Sequence, residues 1–301
     1  MSFTDRLGPE HLCIFLLHGV TQHSRYQIRN YTGKHIQEAK FDGLLKELTH
    51  KGHALSMDEV IEHHQTQKTY PPNSFSITFD DGFENNASVA LPLLEKYNVP
   101  ALIYITTGWT EVNGMSWTDR LEYCLEHCED KYFKLPWHEA PLSASTKSDK
   151  IILMNDIRYH VKRHANLDIE TFIEDFYQQA DIDLMKFSND PLDLKLTWQQ
   201  LKELHFHPLI TIGGHTHSHR VMSFLSDEDL KHEINLSLEL LQKNSSISTH
   251  HYSYPEGLEH TYNQKVIEAL TNEGIKCSPS AIDGINNLND SLFDLKRILV
   301  G

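Results

Sequence analysis

The chain has 301 residues, 39% of them hydrophobic, and a formal net charge of −15 from 27 Lys and Arg against 42 Asp and Glu. This length and apolar content suffice for one large domain or two small ones with a substantial core. The acidic balance argues against a nucleic-acid partner and against an anionic membrane surface, because both need a basic face.

Strands and helices alternate in the first third of the chain. Continuous apolar runs predict buried strands, and apolar residues at helical spacing predict helices between them. The predicted strands are 12–17, 74–79 and 99–106, the helices are 41–51 and 84–97, and a polar loop covers 65–73. Strands separated by helices in this way pair in parallel.

The alternation stops for residues 111 to about 197, where helices are predicted at 117–127, 150–164 and 169–179, with a Ser/Lys-rich link at 142–149. Helices then resume at 198–205, 227–243 and 261–272, and strands at 209–212, 251–254, 275–277 and 295–300. We predict one domain, 1–301, in which six or seven strands form a closed or nearly closed α/β barrel. Residues of about 111–197 are predicted to form a helical insert or lid.

The sequence also bears on the compartment. The first ten residues lack the basic start and the cleavage site of a signal peptide, and no apolar stretch reaches the ~20 residues that span a bilayer. The four cysteines fit reduced thiols, and Cys124 and Cys128 on a predicted helix fit packing better than a zinc pair. We therefore expect a cytoplasmic protein without a membrane span. No pattern indicates an oligomeric state.

Two polar segments that each follow a predicted strand carry the chemistry. Asp80 and Asp81 follow the second predicted strand, and His215 and His219 follow a later one. The carboxyl ends of barrel strands meet at one rim, where the active sites of such barrels lie. Two imidazoles and a carboxylate, with a second carboxylate beside them, are the ligand set of a catalytic zinc site with its general base. The joint pattern predicts a metal-dependent hydrolase.

Each segment has an ordinary structural explanation when it is taken alone. Asp-Gly pairs are common in turns. With 21 histidines in the chain, the spacing of those at 215, 217 and 219 shows only that they can converge. The metal site is favoured because both segments follow strands. Zinc, cobalt, nickel and iron share these ligands.

Residues 78–82 (Thr-Phe-Asp-Asp-Gly) and 215–219 (His-Thr-His-Ser-His) resemble the first two motifs of the polysaccharide deacetylase superfamily, carbohydrate esterase family four. Residues 252–257 (Tyr-Ser-Tyr-Pro-Glu-Gly) look like its third motif in degenerate form. The resemblance implies a distorted (β/α)7 barrel of parallel strands. It also implies the site roles: Asp81, His215 and His219 would bind a divalent metal, usually zinc, and Asp80 would be the general base. The third motif would place Tyr254 and the backbone N–H of Glu256 at the substrate and its oxyanion.

The third motif departs from the family pattern. Many members carry an arginine there that orients the base, and Ser253 stands at that position. Arg297, in the predicted closing strand, is a candidate substitute because a guanidinium on Asp80 would keep the carboxylate ionised. The alternative is that Arg297 forms a surface salt bridge.

The general acid also needs a substitute, because no late histidine motif follows the third motif. Residues 16–20 (Leu-Leu-His-Gly-Val) look like the N-terminal histidine motif of family members with a permuted arrangement, such as the biofilm poly-N-acetylglucosamine deacetylases. His18 would then protonate the leaving amine, unless it is a histidine satisfied by backbone at a strand end. Trp117 opens the insert and either stacks on a sugar ring or packs in the core.

We expect a metal-dependent deacetylase that removes the N-acetyl group from an amino sugar in an intracellular glycan precursor. Two alternatives stay open. A C–N hydrolase acting on a small non-sugar amide is favoured if the insert closes the pocket. A barrel that binds a glycan without catalysis is favoured weakly by the missing third-motif arginine.

Overall fold

A computed structural model of the chain describes residues 3–23, 26–165 and 167–301. Within these ranges the strands are β1 (Leu12–Leu17), β2 (Gly19–Thr21), β3 (His35–Gln37), β4 (His53–Ala54), β5 (Ser74–Phe79), β6 (Ala101–Ile105), β7 (Tyr132–Phe133), β8 (Leu142–Ser143), β9 (Ile210–Gly214) and β10 (Ile298–Leu299). The α-helices are α1 (Glu38–Lys51), α2 (Met57–Thr66), α3 (Leu91–Tyr97), α4 (Thr107–Val112), α5 (Trp117–His127), α6 (Lys147–Val161), α7 (Ile169–Ala180), α8 (Trp198–His205), α9 (Asp227–Ser245) and α10 (Gln264–Asn272). A π-helical turn covers Asn86–Ala90, and 3₁₀ turns cover Phe3–Arg6 and Met222–Phe224.

The main sheet is parallel, with the strand order β10-β1-β5-β6-β9 and with β4 paired to the start of β5. Beyond β9, its last residue forms a bridge with Tyr252, and the residue before Tyr252 forms one with Cys277. The N–H of Ser280 then donates to the carbonyl of Leu295, 2.8 Å away and shortly before β10. Hydrogen-bonded backbone therefore continues from one edge of the sheet through irregular segments toward the other, in keeping with a distorted α/β barrel.

The apolar runs of the sequence predict the central strands correctly. Every residue of β1 and β5 is buried, because helices cover one face of the strands and side chains from the other strands fill the barrel interior on the other face. The strand β9 extends two residues beyond the predicted 209–212. A Cβ at Gly213 would lie 2.6 Å from the ring of Tyr104, and one at Gly214 would lie 2.5 Å from the ring of Tyr252. Only glycine lets the strand pass these tyrosines. The predicted strands 251–254 and 275–277 form single bridges only.

Most predicted helices are present, but α2 and α4 were not predicted and one predicted helix is divided. The helix α2 was not predicted, although Ser56 caps it: the Ser56 Oγ accepts from the Glu59 N–H, and the Glu59 carboxylate accepts from the Ser56 N–H. Such a reciprocal capping box is readable from sequence as Ser-x-x-Glu. The predicted helix 84–97 divides into the π-helical turn and α3. Within that turn, Asn86 donates to the carbonyl of His18 at 2.9 Å, so the irregularity holds the loop after β1.

The residues between α4 and α8 build a second core beside the sheet. Their hydrophobic cluster is formed mainly by α5, α6, α7 and the short hairpin of β7 and β8, and its buried side chains include Leu121, Met154, Ile157, Phe133 and Phe176. Cys124 and Cys128 are buried free thiols of the same cluster. The predicted insert therefore has packing of its own and can wall the site from one side.

None of the helices in the described ranges combines the length and the apolar content that crossing a membrane requires.

Candidate active site

A cavity of about 230 Å³ lies at the carboxyl ends of β1, β5 and β9. The sheet supplies one wall of this cavity, and residues of α5 and α6 from the insert supply another. Its polar lining from the strand ends and the third motif consists of His18, Asp80, Asp81, His215, His219 and Glu256. The two polar segments of the sequence, the His18 motif and part of the third motif thus meet in one place.

The backbone is strained where these loops turn into the cavity. Asp81, Thr216, His219 and Glu256 have φ values of 76°, 63°, 58° and 64°, in the left-handed region that costs non-glycine residues of order 1–3 kcal/mol each. Gly82 follows Asp81 with a φ of 74°. Together the two left-handed residues turn the chain sharply at the end of β5. Such strain persists where surrounding contacts enforce it, as at functional sites.

Asp80 is held by Arg297 in a buried, bidentate ion pair. Each of its carboxylate oxygens accepts a hydrogen bond of 2.8 Å from a guanidinium nitrogen, and the Arg297 side chain is 0% exposed. Arg297 also donates to the carbonyl of Ser280 at 2.6 Å and to Ser253 Oγ at 2.9 Å. Burial raises the pKa of Asp80, but Arg297 and His215 outweigh it, and the pKa lies below the usual value. The carboxylate is therefore ionised at neutral pH. The surface salt bridge considered as an alternative for Arg297 does not occur.

Asp81, His215 and His219 offer three ligand atoms within 4.8 Å of one another. The Asp81 Oδ1 lies 3.4 Å from His219 Nε2 and 3.7 Å from His215 Nε2. Ligands ~2.1 Å from a tetrahedral metal lie roughly 3.4 Å apart, so the spacing fits. The Asp81 Oδ1 is also buried without a hydrogen-bond partner among the described residues. An oxygen in this position is costly unless a cation satisfies it, and the residues fit a divalent metal.

Contacts behind the two histidines aim them at this point. The Nδ1 of His215 lies 2.8 Å from the carbonyl of Ser253, which can only accept, so Nδ1 carries the proton and Nε2 presents its lone pair. The ring of His219 stacks on Trp109 at 4.9 Å between centroids. Glu233 on α9 accepts hydrogen bonds from the N–H groups of residues 217 and 218 at 2.9 and 2.8 Å. The loop is thereby fixed before any ligand binds.

A second group of Asp58, His250 and His251 satisfies the same proximity criterion. Both Nε2 atoms lie 2.8 Å from the same Asp58 oxygen, which is an ordinary hydrogen-bond length. The hydrogen bond from His251 lowers the pKa of Asp58 to about 2, against the effect of burial. Asp58, His250 and His251 thus form a hydrogen-bonded group of two imidazoles and a carboxylate. None of the three lines the cavity.

Lys34 was not predicted from the sequence. Its Nζ lies 3.4 Å from Asp81 Oδ2 and 3.2 Å from Asp119 Oδ1, so it links the site to α5 of the insert. Burial lowers the pKa of Lys34, but Asp119 and Asp81 outweigh it, and the pKa is raised overall. Burial raises the pKa of Asp81, but Lys34 and the neighbouring imidazoles outweigh it, and the pKa lies far below its usual range. A single lysine in a loop has no sequence pattern, and only the tertiary fold reveals it.

His18 lies at the cavity directly after β1. Its Nδ1 is buried and has no hydrogen-bond partner among the described residues, so the alternative of a ring satisfied by backbone does not apply to this nitrogen. Burial lowers the pKa of His18 to about 4, although Asp81 acts in the opposite direction. The ring is therefore neutral at pH 7.

The third motif is brought to the site only in part. Of this motif, Glu256 lines the cavity. Trp117, at the start of α5, also lines the cavity and packs against the core of the insert. Burial raises the pKa of Glu256, but its ion pair with Lys162 outweighs this and lowers the pKa to about 2. The side chain of Tyr254 lies outside the cavity, contrary to the substrate contact we predicted. It is fully buried, donates to the carbonyl of Phe293 at 3.0 Å and stacks on another tyrosine.

Comparison with known proteins identifies the family of this chain. The sequence model of the family described as polysaccharide deacetylase matches residues 67–278, which is more than half of the chain. The chain therefore belongs to the polysaccharide deacetylase family, whose members remove acetyl groups from polysaccharides and are generally metal-dependent. A search of curated proteins found no match.

Solved structures share the fold at low identity. A deacetylase of Streptococcus pyogenes, PplD in complex with acetate, has 18% identity and a TM-score of 0.62 over 97% of this chain and 93% of its own. IcaB from Ammonifex degensii has 16% identity and a TM-score of 0.60, covering 98% and 94%. The BpsB deacetylase domain from Bordetella bronchiseptica has 15% identity and a TM-score of 0.59, covering 97% of each chain. The predicted α/β barrel class is confirmed by these similarities.

Proposed function

We propose that this protein is a metal-dependent N-deacetylase that hydrolyses the acetamido group of an amino sugar in an intracellular glycan precursor. The observation that carries the proposal is the different surroundings of two adjacent carboxylates. Asp80 is bound by a buried guanidinium, whereas Asp81 faces two imidazoles. Family membership supports de-N-acetylation, and the complex of the solved relative PplD with acetate supports binding of the acyl product by this fold.

In the proposed reaction, water adds to the amide carbonyl carbon and the C–N bond breaks, which gives acetate and a free amine. A divalent metal bound by Asp81, His215 and His219, most often Zn²⁺ with such ligands, would polarise the carbonyl and lower the pKa of water. Asp80 accepts the proton of the attacking water. The backbone N–H of Glu256 stabilises the negative charge that develops on the carbonyl oxygen.

His18 is proposed as the proton donor to the leaving amine. With a pKa of about 4 the ring enters the reaction neutral at pH 7. Negative charge that develops on the substrate raises the pKa of a neighbouring imidazole, so His18 gains its proton during the reaction rather than before it. The proton that Asp80 takes from the attacking water supplies it, and its transfer to the amine leaves both side chains as they began. The amine needs this proton because an unprotonated amide anion is a very poor leaving group.

Replacing His18 with glutamine is expected to lower acetate release from an N-acetyl sugar by about 10²–10⁴-fold, the usual contribution of a general acid. Hydrolysis of 4-nitrophenyl acetate should change by no more than about threefold, because the phenolate leaves without a proton. His217→Gln is the matched control, since that ring contacts Thr107 Oγ1 at 3.1 Å and has no proposed catalytic role. An equal loss on both substrates would show that His18 does not act as the acid.

Removing the metal with a chelator is expected to abolish acetate release from N-acetylated sugars, nucleotide sugars and oligosaccharides, and adding Zn²⁺ should restore it. Zinc at ~100 times its Kd should also raise the Tm by about 5 °C. Asp81→Asn should lose both the restored activity and the Tm rise, whereas Asp58→Asn should keep both. Bound metal without acetate release from any of these compounds would favour a non-sugar amide as the substrate. A protein that binds no metal would leave a non-catalytic glycan-binding barrel.

The cavity dimensions favour one alternative substrate class. Small-molecule sites usually measure ~300–1,000 Å³, and this cavity measures about 230 Å³ with the insert as one wall. A C–N hydrolase that acts on a small cyclic or linear amide would use the same residues. The same assay, extended to such amides, separates the two functions.

A further inference from the structure

Positively charged side chains from the insert line the proposed active site of an otherwise acidic protein. The chain carries a formal net charge of −15. Arg158 and Lys162, four residues apart at the end of α6, nevertheless both line the cavity, together with Lys34. A neutral sugar provides no charge to match such a group.

Two of these cations are already matched by carboxylates. Lys34 lies between Asp81 and Asp119, at 3.4 and 3.2 Å. Lys162 forms an ion pair with Glu256 in which the side chains are 19% and 12% exposed. These charges are largely neutralised within the protein, and neither lysine needs an anion from outside.

Arg158 differs because, among the described residues, no carboxylate oxygen lies within 4.0 Å of its guanidinium nitrogens. Burial raises the pKa of Tyr31 and Arg158 opposes this, so the phenol lies near the guanidinium, while its hydroxyl donates to Asn155 Oδ1 at 2.8 Å. The nearby Glu122 and Glu256 act on it only beyond contact distance. Glu122 accepts the N–H of residue 30 at 2.8 Å, and Glu256 is bound by Lys162. The half-buried guanidinium thus has a neutral phenol nearby and no carboxylate in contact with it.

We propose that Arg158 binds an anionic group of the substrate, a phosphate or a carboxylate attached to the acetylated sugar. This inference rests on the proposed deacetylase function and names its substrate class. A guanidinium suits such a group because its planar fork donates two parallel hydrogen bonds to phosphate or carboxylate oxygens. The acetamido group would then face Asp80 while the anion faces α6 on the insert side of the same cavity.

The test compares three substrates that share one acetamido sugar: N-acetylglucosamine 1-phosphate, an N-acetylglucosaminyl uronic acid disaccharide, and the neutral methyl glycoside. For the anionic substrate that the site accepts, Arg158→Gln should raise KM by about 10- to 100-fold, because hydrogen bonds to charged groups are lost. The KM for the neutral glycoside and kcat for all three should change by less than about threefold. Arg158→Lys should recover only part of the loss, since an ammonium cannot bind with two parallel donors. The phosphate and carboxylate substrates distinguish the two sources of the anion.

Arg163→Gln is the matched control, because Arg163 is an exposed arginine that stacks over Tyr159 just beyond α6 and does not line the cavity. A second readout does not depend on deacetylation. Calorimetric binding of glucose 1-phosphate and of glucuronic acid, neither of which has an acetyl group, should detect at least one ligand whose affinity falls about 10-fold or more in Arg158→Gln. Equal losses on neutral and anionic substrates, or no such difference for either ligand, would overturn the proposal. Anion binding that depends on Arg158 in a protein that releases no acetate would instead refute the deacetylase function and leave the anion site standing.

Discussion

Replacing Asp80 with asparagine is expected to lower kcat for acetate release by about 10²–10⁴-fold, the usual contribution of a general base, while the amount of bound metal stays unchanged. Asparagine has nearly the same shape as aspartate but cannot accept the proton of the attacking water. The metal is proposed to bind Asp81 and the two histidines, none of which the substitution removes. The measurement is acetate release beside metal content in the same purified sample.

The control for this variant concerns Arg297, whose charge loses its carboxylate partner when Asp80 is replaced. Arg297 keeps hydrogen bonds to Ser280 and Ser253, and circular dichroism will show whether the fold survives. The double variant Asp80→Asn/Arg297→Met removes both charges and provides a folded reference if the single variant is unstable. Loss of metal together with activity would assign Asp80 to the ligands rather than to the base. Unchanged activity would refute the base role.

Replacing Arg297 with methionine is expected to lower the free energy of unfolding by about 3–5 kcal/mol, because breaking a buried pair leaves an uncompensated charge. The carboxylate of Asp80 would then stay buried without its two 2.8 Å donors. Urea unfolding at pH 7 measures the loss. Arg297→Lys should recover part of the stability, and the double variant with Asp80→Asn should be more stable than Arg297→Met alone. A change below about 1 kcal/mol would mean that the pair contributes little.

The same variant has a defined effect on pH dependence. Arg297 holds the pKa of Asp80 below the ordinary carboxylate value, so the pair contributes its full stability above about pH 4. That contribution is lost as the pH falls through the depressed pKa of the folded state. Without Arg297, burial raises the pKa of Asp80, and the acidic limb of the kcat/KM profile should move to higher pH. An unmoved acidic limb would show that another group controls it.

The sequence was informative where a chemical pattern is local. Buried apolar runs predicted β1 and β5, and the two polar segments predicted that Asp80, Asp81, His215 and His219 would lie together at strand ends. Arg297 was open between two explanations, and the structure places its guanidinium on Asp80. The missed helix α2 had a readable capping box, so that omission was avoidable.

Other features depend on contacts that no local pattern records. Lys34 lies on a loop without a motif, and its position between Asp81 and Asp119 appears only when the insert docks beside β5. Tyr254 was expected at the substrate from the third motif, yet the chain turns so that its ring packs inward and the left-handed residue Glu256 faces the cavity. Side-chain direction in an irregular segment follows from its backbone angles, and periodicity carries no information there.

The pair of Asp80 and Arg297 joins positions 217 apart in the chain. During synthesis, both aspartates and both histidines of the site leave the ribosome before Arg297 does. A nascent or partly folded chain can therefore bring the metal ligands together while its neighbouring carboxylate still lacks the guanidinium that holds it ionised. Contacts between distant positions carry a larger loop-closure cost, and the contact of Asp80 with Arg297 spans more of the chain than those among the proposed metal ligands. If Asp80 is the base, as proposed, placement of β10 beside β1 is the step that makes it competent, which would couple chemical activity to completion of the fold.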